Sequence, residues 1–242
     1  MQSYEDFHEL VMARRSIRGY KKDQDVPDEM IRKILDAARW APSGGNGQPW
    51  EFIVVRNEET RHQIADIFIK QQVSKIEMEK AARGEAKMTG AGFKNAPVHI
   101  VVVGDPRVNL TYPIRTMEEK SESHFYTGMA NTCLLIMLAA RSMGLSTQYV
   151  SDASSPYMST MLKVLLGIPD DLRVYHLIPV GYASGDVAPR PRRELEEIVH
   201  FESYDPKKYR DDAEFRKFVM TASRRGSYGK RQWVEDDVQQ RE

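Results

Sequence analysis

An apolar run at residues 98–103, ending at Gly104-Asp105-Pro106, most constrains the fold because it predicts a strand. Shorter strand patterns occur at 51–55, 146–150 and 174–180. Helical spacing and helix-start signals predict helices at about 3–14, 28–41, 60–83, 122–143 and 155–167. Since these helices and strands do not alternate strictly, the sequence favours an α+β fold over a doubly wound parallel sheet.

The composition argues against several functional classes. The 242 residues include 35 basic and 35 acidic ones, a balance that is not typical of a dedicated nucleic-acid binder. Cys133 is the single cysteine, which excludes a disulfide within the chain and a cysteine metal cluster. The first residues lack the apolar run of a signal peptide, and the apolar stretch 129–140 is too short to span a bilayer. We therefore expect a cytoplasmic enzyme with no metal site, no membrane anchor and no nucleic-acid partner.

The segment Arg14-Arg15-Ser16-Ile17-Arg18 places three guanidinium groups and a hydroxyl within five residues. A guanidinium group matches the oxygens of a phosphate and stays charged at any working pH. One interpretation is a site for a phosphate and a polyol chain. The alternative is a basic helix end whose arginines favour the helix dipole and point into water. Spacing alone leaves both open.

The segment 41–50 is a glycine-rich loop that leads into a strand. Glycine lets the backbone approach a ligand closely, and the side chains of Ser43, Asn46 and Gln48 can hydrogen-bond to the edge of a heterocycle. The alternative is a helix stop and an ordinary turn, with Trp50 as a core residue. A third segment joins Pro179-Val180-Gly181-Tyr182 to a stretch rich in proline and arginine at 189–199, which is weak evidence for an anion site when taken alone.

Together, in this order and at this separation, the three segments resemble the FMN-dependent nitroreductase family. The shared motifs are Arg-Arg-Ser-x-Arg-x-Tyr, Ala-Pro-Ser-x-x-Asn-x-Gln-Pro-Trp-x-Phe, and Pro-Val-Gly-Tyr followed by Arg-Arg-x-Leu-Glu-Glu-Ile-Val, and they cover about residues 4–200. The resemblance implies a three-layer α-β-α sandwich with a mostly antiparallel sheet, in an intertwined homodimer with FMN at the subunit interface. The FMN-binding domain would span residues 1–202. Residues 203–242, of which 18 are charged, form either a solvated tail or an arm that lies on the partner subunit.

The resemblance also implies roles for individual residues. Arg14, Arg15 and Ser16 would contact the phosphate and ribityl chain of FMN, and Arg18 the pyrimidine edge of the flavin. Further cofactor contacts are expected in the loop, in the turn after the strand at 146–150 and in the C-terminal segment, whose arginines would complete the phosphate site: Pro42, Ser43, Gly44, Asn46, Gln48, Ser151, Gly181, Arg190, Arg192 and Arg193.

In this family the flavin supplies the chemistry: NAD(P)H delivers a hydride to flavin N5 and leaves, and an oxidised acceptor takes its place. Arg18 would stabilise the negative charge of the reduced flavin, and neither a catalytic triad nor a protein general acid is expected. We expect nitroaromatic, quinone or related acceptors. The alternatives are a reductive dehalogenase, a flavin-fragmenting enzyme and a flavin-binding protein with little turnover. Against the dehalogenase, residues 60–111 include Glu77 and Lys94 but no tyrosine to complete a deiodinase-type lid.

The choice of acceptor would be set by the stretch around residues 88–93 and by the segment 105–126. Its candidate substrate contacts are Tyr112, Arg115, His124, Phe125 and Tyr126, with Arg115 able to hold an anionic acceptor. The alternative is that these side chains only pack the segment against the rest of the domain.

Overall fold

Four strands form one antiparallel sheet in the computed structural model, which describes residues 3–84 and 90–218. The strands are β1 (Trp50–Val55), β2 (Val98–Gly104), β3 (Ser146–Thr147) and β4 (Arg173–Gly181), in the spatial order β1-β2-β4-β3. Every neighbouring pair is antiparallel, and all seven residues of β2 are buried. The predicted strand at 98–103 and the mostly antiparallel sheet are confirmed.

Seven α-helices accompany the sheet in the described residues. They are α1 (Tyr4–Ala13), α2 (Asp28–Ala38), α3 (Glu58–Arg83), α4 (Ile114–Ser142), α5 (Pro156–Leu166), α6 (Leu195–Ile198) and α7 (Asp212–Phe218). α1 starts with a capping box, in which Ser3 Oγ accepts from Asp6 N at 3.2 Å and the Asp6 carboxylate accepts from Ser3 N at 3.0 Å. α5 ends at Gly167, whose φ of 64° is left-handed and therefore suits glycine.

Helices cover both faces of the sheet. One face packs on α3 and α5 through fully buried side chains: Val101, Leu177, Phe68 and Leu162. The other face packs on α2 and α4 through a second set: Ile100, Ile178, Ile34 and Ile136. Burying each such side chain contributes about 1.5–3 kcal/mol relative to leaving it in water. The two clusters therefore hold together the three-layer α-β-α arrangement expected from the sequence.

The start of the long helix differs from the prediction. The helix expected from about residue 122 begins at Ile114, directly after Pro113. Proline has a fixed φ and lacks an N–H, so it is well tolerated at a helix start. The early turns also carry an i,i+4 ion pair, with Arg115 Nε 3.0 Å from Glu119 Oε1. The segment before α4, expected to be irregular, also contains a 3-10 helix at Pro106–Thr111.

Two smaller expectations were also wrong. The predicted strand at 146–150 forms a ladder only over Ser146–Thr147, and Val150 makes a single bridge with Leu177. The helical spacing at 155–167 predicts that Met158, Met161, Leu162 and Leu165 face the core, but Met161 is 37% exposed because Met158 and Leu162 form the buried side of α5.

The chain divides into two units, Met1–Gln71 with Gly90–Val187, and Gln72–Thr89 with Ala188–Glu242. The sheet belongs to the first unit, and α6, α7 and a 3-10 turn at Pro206–Lys208 belong to the second. The division at 187/188 precedes the expected start of the C-terminal extension at 203. In that extension Tyr204, Tyr209 and Phe215 are exposed and Phe218 is half-buried, while its other two aromatic residues, Tyr228 and Trp233, lie outside the described residues. Within residues 3–84 and 90–218 no helix is long and apolar enough to cross a membrane.

Candidate functional site

The arginine motif lies in an extended segment at the edge of the sheet. α1 ends at Ala13, and Arg14 already has extended backbone angles (φ −64°, ψ 127°). Ile17 N donates a hydrogen bond to Thr147 O of β3 at 2.9 Å, and Ser16 forms a parallel bridge with the same residue. The motif is therefore held against β3, unlike a helix end that projects into water.

A cleft of about 310 Å³ adjoins this segment. Its polar lining comes from the motif, the last turn of α4, β3 and the segment after β4: Arg14, Arg15, Arg141, Ser146, Thr147 and Asp186. The three arginines outnumber the one acidic residue, Asp186, so the net charge of the cleft is positive. The hydroxyls of Ser146 and Thr147 add hydrogen-bonding groups. Guanidinium and hydroxyl groups together match the oxygens of a phosphate, so we name this feature the arginine cleft.

Arg141 is the arginine of the cleft that the sequence motifs do not reveal. It lies in the last turn of α4, and the chain passes from there directly into β3. The motif residue Ser16 pairs with Thr147 of β3, and this tertiary pairing brings the two parts of the chain together. The spacing of residues along the sequence contains no signal for that pairing.

The loop at 42–48 has a strained backbone. Gly45, Asn46 and Gln48 have positive φ angles of 55°, 55° and 45°. Glycine and asparagine adopt this region readily, whereas a non-glycine residue such as Gln48 is uncommon there and costs about 1–3 kcal/mol. A hydrogen bond from Gln48 N to Ser43 Oγ at 3.0 Å helps to maintain the conformation. Strain that is held in place by neighbouring contacts is typical of a ligand-binding loop.

α4 supports this loop at two points. Asn131 Nδ2 donates a hydrogen bond to Pro42 O at 3.0 Å. One turn earlier, Gly128 faces the loop, where an added Cβ would lie only 3.2 Å from Ser43 Cβ. The missing side chain at Gly128 lets the loop lie directly on the helix.

Two of the predicted substrate residues also contact the loop. Tyr112 Oη donates to Gly44 O at 2.9 Å, and the Tyr112 and His124 ring centroids are 5.5 Å apart. An added Cβ on Gly44 would lie 2.9 Å from the same hydroxyl, so glycine permits this close approach. Arg115 instead forms an exposed ion pair with Glu119. Tyr112 and His124 are therefore the two that adjoin the predicted cofactor loop.

Phe125 has a packing role, which corrects its predicted substrate contact, and Gly181 also packs closely, although its predicted cofactor contact stays a prediction. Phe125 is fully buried, and its Cζ would lie 2.5 Å from a Cβ added to Gly104, so it fills the space beside β2 and does not face a substrate. A Cβ on Gly181 would lie 2.7 Å from Pro97 Cδ, which accounts for the glycine without a ligand. Tyr126, by contrast, is 46% exposed.

Ser151 begins a 3-10 turn, Ser151–Ser154, and is exposed. Its carbonyl accepts a hydrogen bond from Ser154 Oγ at 2.9 Å. Thr147 of the arginine cleft precedes Ser151 by four residues, or about 13 Å of chain at 3.3 Å per extended residue. One elongated ligand could therefore contact both the cleft and the turn.

The three arginines of the C-terminal segment lie in the second unit. Arg192 Nη1 donates to the carbonyls of Arg190 and Pro191 at 3.2 and 3.1 Å. Arg193 Nη2 donates to Glu197 O at 2.8 Å. Their contact with a cofactor phosphate stays a prediction.

Comparison with known proteins gives a consistent result. The model of the nitroreductase family matches residues 11–182. An Archaeoglobus fulgidus protein with the provisional name NADH dehydrogenase/NAD(P)H nitroreductase is 32% identical over 182 residues, covering 75% of this chain and 88% of that protein. Iodotyrosine deiodinase 1 of Mus musculus is 27% identical over 206 residues, covering 81% of this chain and 69% of that protein.

A solved structure shares the fold. It is oxidized iodotyrosine deiodinase bound to FMN and 3-iodo-L-tyrosine, with a TM-score of 0.64 and 23% identity, over 81% of this chain and 99% of that one. The family model covers residues 11–182, well over half of the sequence, and that range includes the arginine motif, the strained loop, α4 and the whole sheet. The chain belongs to the nitroreductase family.

Proposed function

We propose that this protein is an FMN-dependent oxidoreductase that takes electrons from NADH or NADPH and passes them in pairs to nitroaromatic, quinone or related small acceptors. The observation that carries the proposal is the arginine cleft beside the motif shared with the family. The name of the Archaeoglobus fulgidus relative and the FMN bound in the deiodinase structure support it.

The polar groups of the chain fit FMN. A phosphate dianion matches the three guanidinium groups of the arginine cleft, and Ser16 follows them with a hydroxyl suited to the ribityl chain. The loop offers the exposed amide of Asn46 and the Oε1 of Gln48, whose Nε2 donates to Asn46 O at 3.2 Å, to the edge of the ring. Ser43 Oγ accepts from Gln48 N and still has its own proton to donate. Arg18 is exposed, with its Nη1 3.5 Å from Ser16 O.

When bound, FMN would accept a hydride and pass on its electron pair. The residues of the chain bind and orient it. Arg14 and Arg15 hold the phosphate end, and the strained loop holds the ring without rearranging. Arg18 supplies a fixed positive charge near the pyrimidine edge, where it favours the reduced, negatively charged state.

The proposal includes a homodimer in which a second copy completes the site. α1 has no buried residue within its own chain, and four of its apolar side chains are exposed: Tyr4, Phe7, Val11 and Met12. An amphipathic helix with an uncovered apolar side supports contact with another subunit. A cytoplasmic location, expected from the sequence, belongs to the same proposal.

Reductive dehalogenation of a halophenol is the second candidate. The similarity to mouse iodotyrosine deiodinase 1 over 81% of the chain favours it. The lack of any tyrosine between residues 60 and 111, where a deiodinase-type lid is expected, weighs against it.

Colour and anaerobic reduction test the proposal. The purified protein should be yellow, and NADH or NADPH should bleach it under anaerobic conditions. A panel of nitroaromatics, quinones, enones and halophenols then distinguishes the acceptor classes. A colourless protein that FMN cannot reconstitute would refute the flavin function, and a yellow protein that neither nicotinamide reduces would leave only a flavin-binding role.

A further inference from the structure

Three ring side chains that the sequence motifs do not include pack on one another, edge-to-face and tilted, beside the end of the segment 146–150. The His176 ring centroid lies 4.0 Å from that of Tyr149 and 4.1 Å from that of Tyr175. A β-bulge produces the arrangement: Val102 pairs with His176 and Val103 with Val174, which leaves Tyr175 as an extra residue in β4. Bulges are typical of places where a strand turns a side chain towards a functional site. We name these three residues the tyrosine stack.

The polar atoms of the tyrosine stack are incompletely paired. Tyr149 Oη donates to Tyr175 Oη at 3.5 Å, so the proton of the Tyr175 hydroxyl is directed elsewhere. His176 Nδ1 is buried and has no hydrogen-bond partner in the described part of the chain. A buried polar atom without a partner is rare enough in native proteins to require an explanation, and a functional role is one.

The chemistry of the stack is that of neutral donors. Burial raises the pKa of Tyr149 and of Tyr175, so both hydroxyls keep their protons at working pH. Burial also lowers the pKa of His176 to about 4, so the imidazole is neutral as well. The buried thiol of Cys133, on α4, adds no charge because burial raises its pKa to about 12.

The stack opens to the surface at a predicted substrate residue. The Tyr126 ring centroid is 6.0 Å from that of Tyr175, and Tyr126 is half exposed. Nearby, Arg173 Nη1 is 2.8 Å from Glu122 Oε2, so those two charges neutralise each other. Ser151, a predicted flavin contact, follows Tyr149 by two residues. The stack therefore reaches the surface at Tyr126, and the chain connects it within two residues to the turn where a flavin contact is expected.

We propose that Tyr175, supported by Tyr149 and His176, donates a hydrogen bond and then a proton to an oxygen atom of the acceptor, while Tyr126 contacts its ring. This inference rests on the proposed function. It selects flat acceptors that carry ring oxygens or nitro groups, and it differs from the sequence-based expectation that no protein acid is needed.

The proton balance is simple for a quinone. A quinone becomes a hydroquinone by gaining two electrons and two protons, and the hydride equivalent that originates from NAD(P)H supplies both electrons and one proton. The Tyr175 Oη–H bond breaks as an O–H bond forms on the second oxygen of the acceptor. Tyr175 then takes the proton of Tyr149, and Tyr149, which is only half buried, recovers one from water.

The test compares Tyr175→Phe with a matched control, Tyr157→Phe on the exposed side of α5. Turnover is measured with a quinone and with ferricyanide, a one-electron acceptor that needs no proton. In Tyr175→Phe the ratio of quinone to ferricyanide turnover should fall about 100-fold, the lower range for loss of a general acid. Without reductant, the dissociation constant of the oxidised protein for the quinone should rise about threefold to tenfold, as expected for one neutral hydrogen bond. Tyr157→Phe should change neither quantity.

An unchanged ratio in Tyr175→Phe would overturn the inference, and so would an equal loss with both acceptors, which marks a structural defect. If Tyr175→Phe does not fold, Tyr149→Phe serves instead: the steady-state ratio should fall because Tyr175 still donates its proton but regains one more slowly, and an unchanged ratio would overturn the inference there too. Failure of NADH and NADPH to bleach the flavin would refute the proposed function alone, since quinone binding to the oxidised protein still tests Tyr175.

Discussion

Replacing Arg141 with glutamine tests whether the arginine cleft binds a phosphate. Arg141 is half buried and contributes one of three cations, against the carboxylate of Asp186. A hydrogen bond to a charged group contributes about 1.5–3 kcal/mol, which corresponds to an affinity change of about 10-fold to 150-fold. The position of Arg141 in the last turn of α4 adds a helix-dipole contribution of about 0.3–1 kcal/mol to folding stability, small enough to separate from binding.

The assay is a titration of cofactor-free protein with FMN and with riboflavin, followed by flavin fluorescence. Riboflavin lacks the phosphate and serves as the internal control. We expect Arg141→Gln to weaken FMN binding about 10-fold to 100-fold while leaving riboflavin binding unchanged. Salt should weaken FMN binding in the unmodified protein more than in the variant, because one charge has been removed.

Arg39→Gln is the matched control variant. Arg39 also follows a helix, but it is exposed and pairs with Asp36, with Nε 2.7 Å from Oδ1. It should bind both flavins as the unmodified protein does. Equal weakening of FMN and riboflavin by Arg141→Gln would refute a phosphate role for the cleft, and unchanged affinity for FMN would do the same.

Two stability predictions concern the core. Thr132 is fully buried, and its Oγ1 donates a hydrogen bond to Ala38 O at 2.9 Å. In urea titrations Thr132→Val should therefore lower the free energy of unfolding by about 1–3 kcal/mol. The control Thr160→Val, at an exposed position, should not lower it, and equal effects of the two variants would contradict the prediction. Burial lowers the pKa of His99 to about 4, so between pH 6.5 and 4 the folded chain binds fewer protons than the unfolded chain. The free energy of unfolding should therefore fall by up to about 3 kcal/mol as the pH drops through that range. His99→Gln should remove the His99 share of this pH dependence and leave the share of His176, whose pKa burial also lowers to about 4, whereas the exposed His62→Gln should retain both shares; identical slopes in the two variants would refute the assignment.

Elements with local signals could be predicted from the sequence. The Ser3–Asp6 capping box marks the start of α1, and Gly167 marks the end of α5, because each acts within one helical turn. β2 could be predicted because a continuous run of apolar residues is stable only when it is buried. The strained loop was located from its glycines, although the left-handed conformation of Gln48 has no sequence signature.

The burial of Phe125 has a clear signal in the sequence, the helical periodicity of apolar residues in α4. Phe125 continues the buried stripe of α4, which runs through Met129, Cys133, Ile136 and Ala140 at spacings of four, four, three and four. That periodicity predicts an inward side chain. The aromatic character of the segment 105–126 instead suggested a substrate contact.

The positions of Arg141 in the cleft and of Tyr175 in the stack could not be predicted from the sequence. Arg141 reaches the motif only because Ser16 pairs with Thr147. Tyr175 joins its stack only because a register shift between β2 and β4 leaves it unpaired. Pairing register depends on packing across the whole sheet, so no local pattern could give either result.

α4 connects the three parts of the site, and this makes their independence testable. It supplies Arg141 to the arginine cleft, Gly128 to the loop and Tyr126 to the tyrosine stack. At 1.5 Å per residue, the 15 residues from Tyr126 to Arg141 span about 22 Å of helix. Groups that far apart on a rigid element contribute additively. The variant that combines Arg141→Gln with Tyr175→Phe should therefore lose FMN affinity as the first change does and quinone selectivity as the second does. A combined effect clearly different from the sum would mean that cofactor and acceptor are coupled through α4.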